Sequence, residues 1–226
     1  MTSQIETDPD QKSGQQRRGR PTGLSAESRE ALFDAAEELF GQKGIAGVSL
    51  REIADAAGQR NNSVVRYHFH NKYKLLEALL AERIAEVERA RQALAGRYAP
   101  LEQEPPETLL RILWEPLLDV GKRQNRHHFI RCLLACQIEQ QTSLHPLATA
   151  PEGHPASGRL LAAICDRFPH VPKDQCLYRL GLLAMMFWAA VTAHDQAAVS
   201  ANVAWSARFS LDEPIKLALA ALGAPA

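Results

Sequence analysis

The chain holds 226 residues, enough for one large domain or two modest ones. Its 26 basic and 26 acidic side chains cancel, which excludes a uniformly basic nucleic-acid coat and confines any such surface to one region. Hydrophobic residues make up 46% and aromatics only 6%, with Ala and Leu dominant, so a real core built from helices rather than sheets is expected.

The first sixteen residues are polar and carry no apolar run, which predicts a disordered segment and no secretory leader. The basic cluster Arg17, Arg18 and Arg20 follows, with no acid between Lys12 and Arg20. Residues 1–24 thus read as a flexible basic arm of the kind that reaches a DNA minor groove. A first helix is predicted from Ala26 to Gln42, with Ser25 as its cap and Gly44 as its stop. Leu32, Ala35, Ala36, Leu39 and Phe40 give it one apolar stripe. Ser49 and Glu52 have the spacing of a capping box for a second, shorter helix that Gly58 ends. Residues 59–69 suit a third short helix with Val64, Val65 and Phe69 inward. Asn71 then caps a long helix from Lys72 to about Gly96.

Further helices are predicted over 107–121, 125–140, 157–168, 174–194 and 211–222, with a Pro-rich loop at 141–156 and no strand. Pro116 should kink the first of these. The charge-free run between Arg179 and Asp195 falls short of the roughly 18–20 residues that span a bilayer. It reads as a buried helix of a cytoplasmic protein without a membrane partner. Four cysteines, at 132, 136, 165 and 176, are too few for a disulfide scaffold and fit a reducing compartment.

Two short helices around a Gly turn describe a helix-turn-helix, whose second helix enters the major groove. Residues 59–74 hold Arg60, Arg66, Lys72 and Lys74 and no acid. Asn and Arg pair with adenine and guanine edges, so Arg60, Asn61, Asn62 and Ser63 carry base-reading chemistry at the start of that helix. Solvated cap residues are the alternative reading of the same run.

The ordered motifs ALFDAAEELFGQKGIAGVSLREIADAAG and YHFHNKYKLLEALL resemble the DNA-binding domain of TetR-type bacterial transcriptional regulators. The resemblance covers roughly residues 25–85. It implies an all-α chain: a three-helix DNA-binding head (25–71) joined by a long helix to a helical ligand-binding and dimerisation body (72–226). By position, Ser49 would contact phosphate, and Arg60, Asn61, Asn62, Ser63 and Arg66 would lie on the recognition helix. Tyr67, His68 and Lys72 would contact or support the DNA backbone. The chain departs from the pattern at Gln59 and in one additional residue between Gly58 and Phe69, which leaves open which of Asn61, Asn62 and Arg66 meets a base.

The function expected is that of a regulator, in all expectation a repressor, which binds palindromic operator DNA as a homodimer and is released by a small, largely apolar effector. No cofactor is expected. The dimer would form through Leu180, Leu183, Met186, Phe187, Ala190 and Val191 with Leu211, Ile215, Leu219 and Leu222, because that first helix is apolar on more faces than one core can use. The effector would lie among Trp114, Leu117, Leu118, Phe129, Leu133, Met185, Met186 and Trp188, oriented by Cys136 and Gln137. Two rival readings stand beside this one. His128, Cys132 and Cys136 at i, i+4 and i+8 could serve a metal- or redox-responsive regulator, and the helical body alone could be an interaction module without DNA binding. No phosphate loop, nucleophile elbow or metalloprotease signature suggests an enzyme.

Overall fold

The computed structural model describes residues 24–59, 61–98, 100–124, 126–139, 154–199 and 210–225, with the backbone alone at 198 and 199. The expected arm with Arg17, Arg18 and Arg20, the loop over 141–153, and Arg60 lie outside these residues. Among the described residues the chain is all-α apart from one two-residue hairpin.

Helix α1 (Ala26–Lys43) starts where the Ser25 hydroxyl accepts the Ser28 N–H at 3.1 Å. It stops at Gly44, whose φ of 75° and contact with the Glu139 carboxylate both exclude a side chain. Helix α2 (Leu50–Ala56) has its full capping box: Ser49 Oγ accepts the Glu52 N–H at 3.2 Å, and Glu52 Oε2 accepts the Ser49 N–H at 2.8 Å. Helix α3 (Asn62–Phe69) is shorter than the predicted segment because Asn61 Oδ1 caps it at the Ser63 N–H. Helix α4 (Lys72–Ala95) begins where Asn71 Oδ1 accepts from Tyr73 and Lys74. Phe33, Phe40, Ile45, Ile53, Val65, Phe69, Leu75 and Leu79 close one core among these four helices.

The body comprises α5 (Pro106–Asp119), α6 (His128–Ile138), α7 (Pro155–Asp166), α8 (Lys173–Val199) and α9 (Asp212–Leu222). Helix α5 continues through Pro116. Helix α6 lies along α1 and also packs on α8, while α5 packs on α4, α7 and α9. Two elements depart from expectation. Residues from 125 were predicted helical, yet an antiparallel hairpin pairs Lys122–Arg123 (β1) with Arg126–His127 (β2) before α6 begins. Its entry at Gly121 has φ 65°, and a Cβ there would lie 2.7 Å from that of Phe129. Helix α7 starts at Pro155, two residues early, because the Glu88 carboxylate on α4 caps the Ala156 and Ser157 N–H groups. Helix α8 also corrects the bilayer-length expectation. Over Lys173–Ala197 it is long and apolar enough to span, at mean hydropathy 1.5, and only 33% of its most apolar window is buried inside the protomer.

Candidate nucleic-acid interface and interior cavity

The turn between α2 and α3 is set by Gly58 at φ 67°, after which Asn61 restarts the helix. This register buries Val65 and Phe69 and half-buries Val64. Asn61, Ser63, Arg66, Tyr67 and His68 therefore stand in solvent, and Tyr67 is the most open of the large apolar groups at 76%. Asn62 is half-buried, and its Nδ2 donates to Asp55 Oδ1 at 3.3 Å. It ties α3 to α2 rather than pointing outward. Arg66 borders a groove with Leu50, Arg51, His70, Asn71 and Tyr73. Of these, Arg51 carries a side chain 83% exposed. Neither Arg51 nor Tyr73 was singled out from sequence, because each lies on an element whose inward face alone follows the apolar period.

Three expected backbone contacts already have partners within the protein. The Ser49 hydroxyl is held in the capping box and also donates to Glu52 Oε2 at 2.9 Å. The Lys72 ammonium donates to the carbonyls of Ile45, Ala46 and Val48 at 2.7, 3.0 and 2.8 Å, which occupies all three of its protons. His68 Nε2 accepts the Leu24 N–H at 3.2 Å. Lys72 and His68 thus fasten the α1–α2 turn and the start of α1. Glu52 is held down to about 2, first by the Ser49 N–H, then by its hydroxyl and Lys43.

Three acids of α1, Glu30, Asp34 and Glu37, face α4 and the hairpin. Arg83 on α4 is 4% exposed and donates to Glu37 (2.6 Å), Glu30 (2.5 Å), Asp34 (3.2 Å) and Glu86 (3.1 Å). Arg123 from the hairpin adds bonds to Asp34 at 2.6 Å and Glu37 at 2.8 Å. Burial raises the Glu37 and Asp34 carboxyls, and the two guanidinium groups oppose that shift. The other end of the hairpin is tied to α8: Asp195 accepts the His127 N–H at 2.7 Å and faces its Nδ1 at 2.9 Å. Burial acts to raise the Asp195 carboxyl, but the two bonds from His127 outweigh it and leave the group below its ordinary value. Glu139, at the end of α6, accepts from Ile45 and Ala46 at 2.6 and 2.8 Å.

Inside the body a cavity of about 30 Å³ is lined by Arg91, Leu113, Trp114, Leu117, Leu161, Leu180, Ala184 and Trp188. With its mouth counted, the unfilled space is about 430 Å³. Trp114, Leu117 and Trp188 are thus where an effector was expected. Phe129, Leu133 and Cys136 are buried on α6 and do not line it. Leu118, Met185, Met186 and Gln137 are half-buried and do not line it either. Arg91, Leu113, Leu161, Leu180 and Ala184 lie outside the set expected for an effector: an Arg on a long, charged helix carries no sequence signal of burial, and the apolar four carry none that separates a cavity wall from plain core.

Helices α8 and α9 also divide their residues differently than expected. Leu180, Leu183, Phe187, Val191, Leu211, Ile215 and Leu222 are buried within the protomer, and Met186, Ala190 and Leu219 are half-buried. Among the described residues, the large apolar groups left outside on these helices are Tyr178 (67%), Leu182 (49%) and Leu217 (57%). His128, Cys132 and Cys136 are buried, and among the described residues no three His, Cys, Asp or Glu side chains converge to hold a metal ion. The Cys132 thiol is pushed well up by its bond with Cys136 and by burial, so the reactive thiolate is disfavoured.

Residues 32–79 match the family model described as bacterial regulatory proteins, tetR family. Over 54 residues the chain is 39% identical to the HTH-type transcriptional regulator TtgR of Pseudomonas putida, covering 24% of this chain and 25% of that protein. It is 38% identical over 65 residues to the HTH-type transcriptional regulator SrpR of Pseudomonas putida, covering 28% and 30%. The chain thus aligns with less than a third of the length of these relatives. The fold extends further: NalD, the secondary repressor of the MexAB-OprM multidrug efflux pump in Pseudomonas aeruginosa, superposes with a TM-score of 0.51 at 21% identity. That superposition covers 87% of this chain and 94% of NalD.

Proposed function

We propose, from the tetR-family head that residues 32–79 carry, that this chain is a cytoplasmic, ligand-responsive transcriptional regulator that represses by binding palindromic operator DNA as a homodimer. The observation that carries the reading is the outward face of α3. Asn61, Ser63, Arg66 and Tyr67 stand exposed there, on a stretch without a carboxylate from Gln59 to Lys74. Arg51 and Tyr73 widen that face across the groove. A two-fold pair of such heads reads two half-sites at fixed spacing. The exposed residues Tyr178, Leu182 and Leu217 supply an apolar surface for the pairing in place of the interior residues first expected.

Release follows from a population shift. An effector in the cavity between α4, α5, α7 and α8 favours one arrangement of the body. Asp195 on α8 then acts through His127 and Arg123 on α1, and Glu139 acts on the α1–α2 turn. Operator DNA must in return weaken effector binding by the same factor.

The test is fluorescence anisotropy of the full chain on labelled duplexes across a salt series. Arg66→Ala is expected to weaken binding by about 1–3 kcal/mol, with loss of sequence preference if Arg66 reads a base. Lys216→Ala, in the body, should leave affinity unchanged. Equal loss in both variants, or binding without salt dependence, overturns the assignment.

A further inference from the structure

The interior cavity offers hydrogen-bond donors and no free acceptor. Arg91 is 4% exposed, and its guanidinium carries five N–H groups. Nε and Nη2 donate to the Leu113 carbonyl at 2.9 and 2.7 Å, and Nη1 donates to Ser157 Oγ at 2.8 Å. Two N–H groups remain. The Ser157 hydroxyl hands its own proton to Glu88 Oε2 at 2.5 Å, so the nearest carboxylate reaches Arg91 through a hydroxyl rather than as a direct ion pair. On the facing helix the Trp188 indole N–H is buried and has no hydrogen-bond partner among the described residues. Leu113, Leu161, Leu180 and Ala184 complete a wall with no acceptor side chain.

A buried donor left without an acceptor is destabilising, and more so when it is charged. Burial lowers the Arg91 guanidinium to about 10, so it keeps its charge at neutral pH. A cationic ligand would meet that charge in a low dielectric, whereas an anion would be held by a charge-assisted fork.

We infer that the effector is an organic acid, whose carboxylate fits the space of about 30 Å³ and is received there by the two unused N–H groups of Arg91 and the indole N–H of Trp188, and whose apolar part extends out through the open mouth. This rests on reading the cavity as the effector site, and it replaces a merely apolar effector with an anionic one. Cations, protonated amines among them, are selected against by the same charge.

The experiment uses benzoate, benzamide and benzylamine as probes on the full chain without DNA, followed by ¹⁵N NMR of the tryptophan indole groups. Trp188→Phe removes one indole peak and so identifies it, while keeping an aromatic ring in place. Benzoate is expected to shift the Trp188 peak saturably and to bind about tenfold or more tighter than benzamide, as a charge-assisted pair should. Benzylamine should leave the peak unmoved. Trp188→Phe and Arg91→Lys should each weaken benzoate binding severalfold. If Arg91→Lys does not fold, Trp188→Phe carries the comparison alone. Benzamide or benzylamine binding as tightly as benzoate overturns the inference. So does a Trp188 peak that no probe moves, which would mean that water alone fills the space; about 30 Å³ holds roughly two molecules. Benzoate binding without any change in DNA affinity keeps the acid site and removes the regulatory reading. DNA release by neutral and cationic compounds alone does the reverse.

Discussion

Lys72 separates two kinds of role by experiment. Replacing it with Met keeps the stem but removes an ammonium that donates to three carbonyls of the α1–α2 turn, at Ile45, Ala46 and Val48. A hydrogen bond to a charged group contributes about 1.5–3 kcal/mol, but Ala46 is exposed and water will replace part of that loss. One well-shielded bond at Ile45 or Val48, plus a fraction of the others, gives a net cost of about 2–3 kcal/mol. For a chain of this size that lowers the melting temperature by about 4–12 °C. Urea unfolding followed by far-UV circular dichroism should show the loss without any DNA present. Lys72→Arg should recover little of it, because a planar fork cannot donate to three converging carbonyls as a compact ammonium does. If Lys72→Met instead leaves stability unchanged and lowers DNA affinity alike for all sequences, with a salt slope smaller by about one, then Lys72 is a phosphate contact and the reasoning fails.

Three further outcomes follow from the same geometry. Ser49→Ala should cost about 1 kcal/mol by removing the cap of α2, measured as a shift in the urea midpoint. The Glu52 half of that capping box, its carboxyl held at about 2 against an ordinary 4.5, adds stability that is complete above the ordinary value and fades as pH falls through about 2. Ser49→Ala keeps the N–H at 49 and loses only the hydroxyl, so the acid titration of stability over that window should shrink in part, whereas Glu52→Gln should flatten it. Asp195 is likewise held below its ordinary 3.8, so its contribution is present above that value and lost as pH falls past it. Asp195→Asn should destabilise the body at neutral pH and remove this part of the acid transition, and an unchanged pH profile would count against the His127–Asp195 link. Leu182→Glu, at an exposed apolar position, should give monomers in sedimentation velocity where the parent gives dimers, with helical content unchanged.

The head was legible because its signals are local. Ser25, Ser49, Asn71, Gly44 and Gly58 act on their own neighbours, and the apolar spacing of α1 and α4 names the buried side directly. What the sequence hid depends on partners far along the chain. The cap of α7 is Glu88, 68 residues before Ala156. The hairpin before α6 is fixed by acids of α1 and by Asp195. Lys72 and His68 have the chemistry of phosphate contacts, yet carbonyls and an amide of the protein itself engage them. Helix α8 is apolar nearly all round, so periodicity does not say which of its faces lies inside the protomer. Arg91 reads as one of several charged residues on α4, and only the approach of α5 and α7 buries it.

The junction of head and body has a consequence for modularity. The expected division at residues 71 and 72 is not a boundary of folding. A head cut at that point would lose Arg83 and Arg123, leaving the fully buried Glu37 carboxylate without a counter-charge. It would lose Glu139 and Lys72 as well, so that the Ile45 N–H would lose its partner and the Ile45 carbonyl would keep only the Val48 N–H at 3.4 Å. Transplanting these three helices onto another helical body therefore means transplanting the seam with them: an Arg at the place of Arg83, a basic hairpin after α5, and an acid at the end of α6. New pairings of head and body are limited by these few charged groups more than by either the outward face of α3 or the interior cavity.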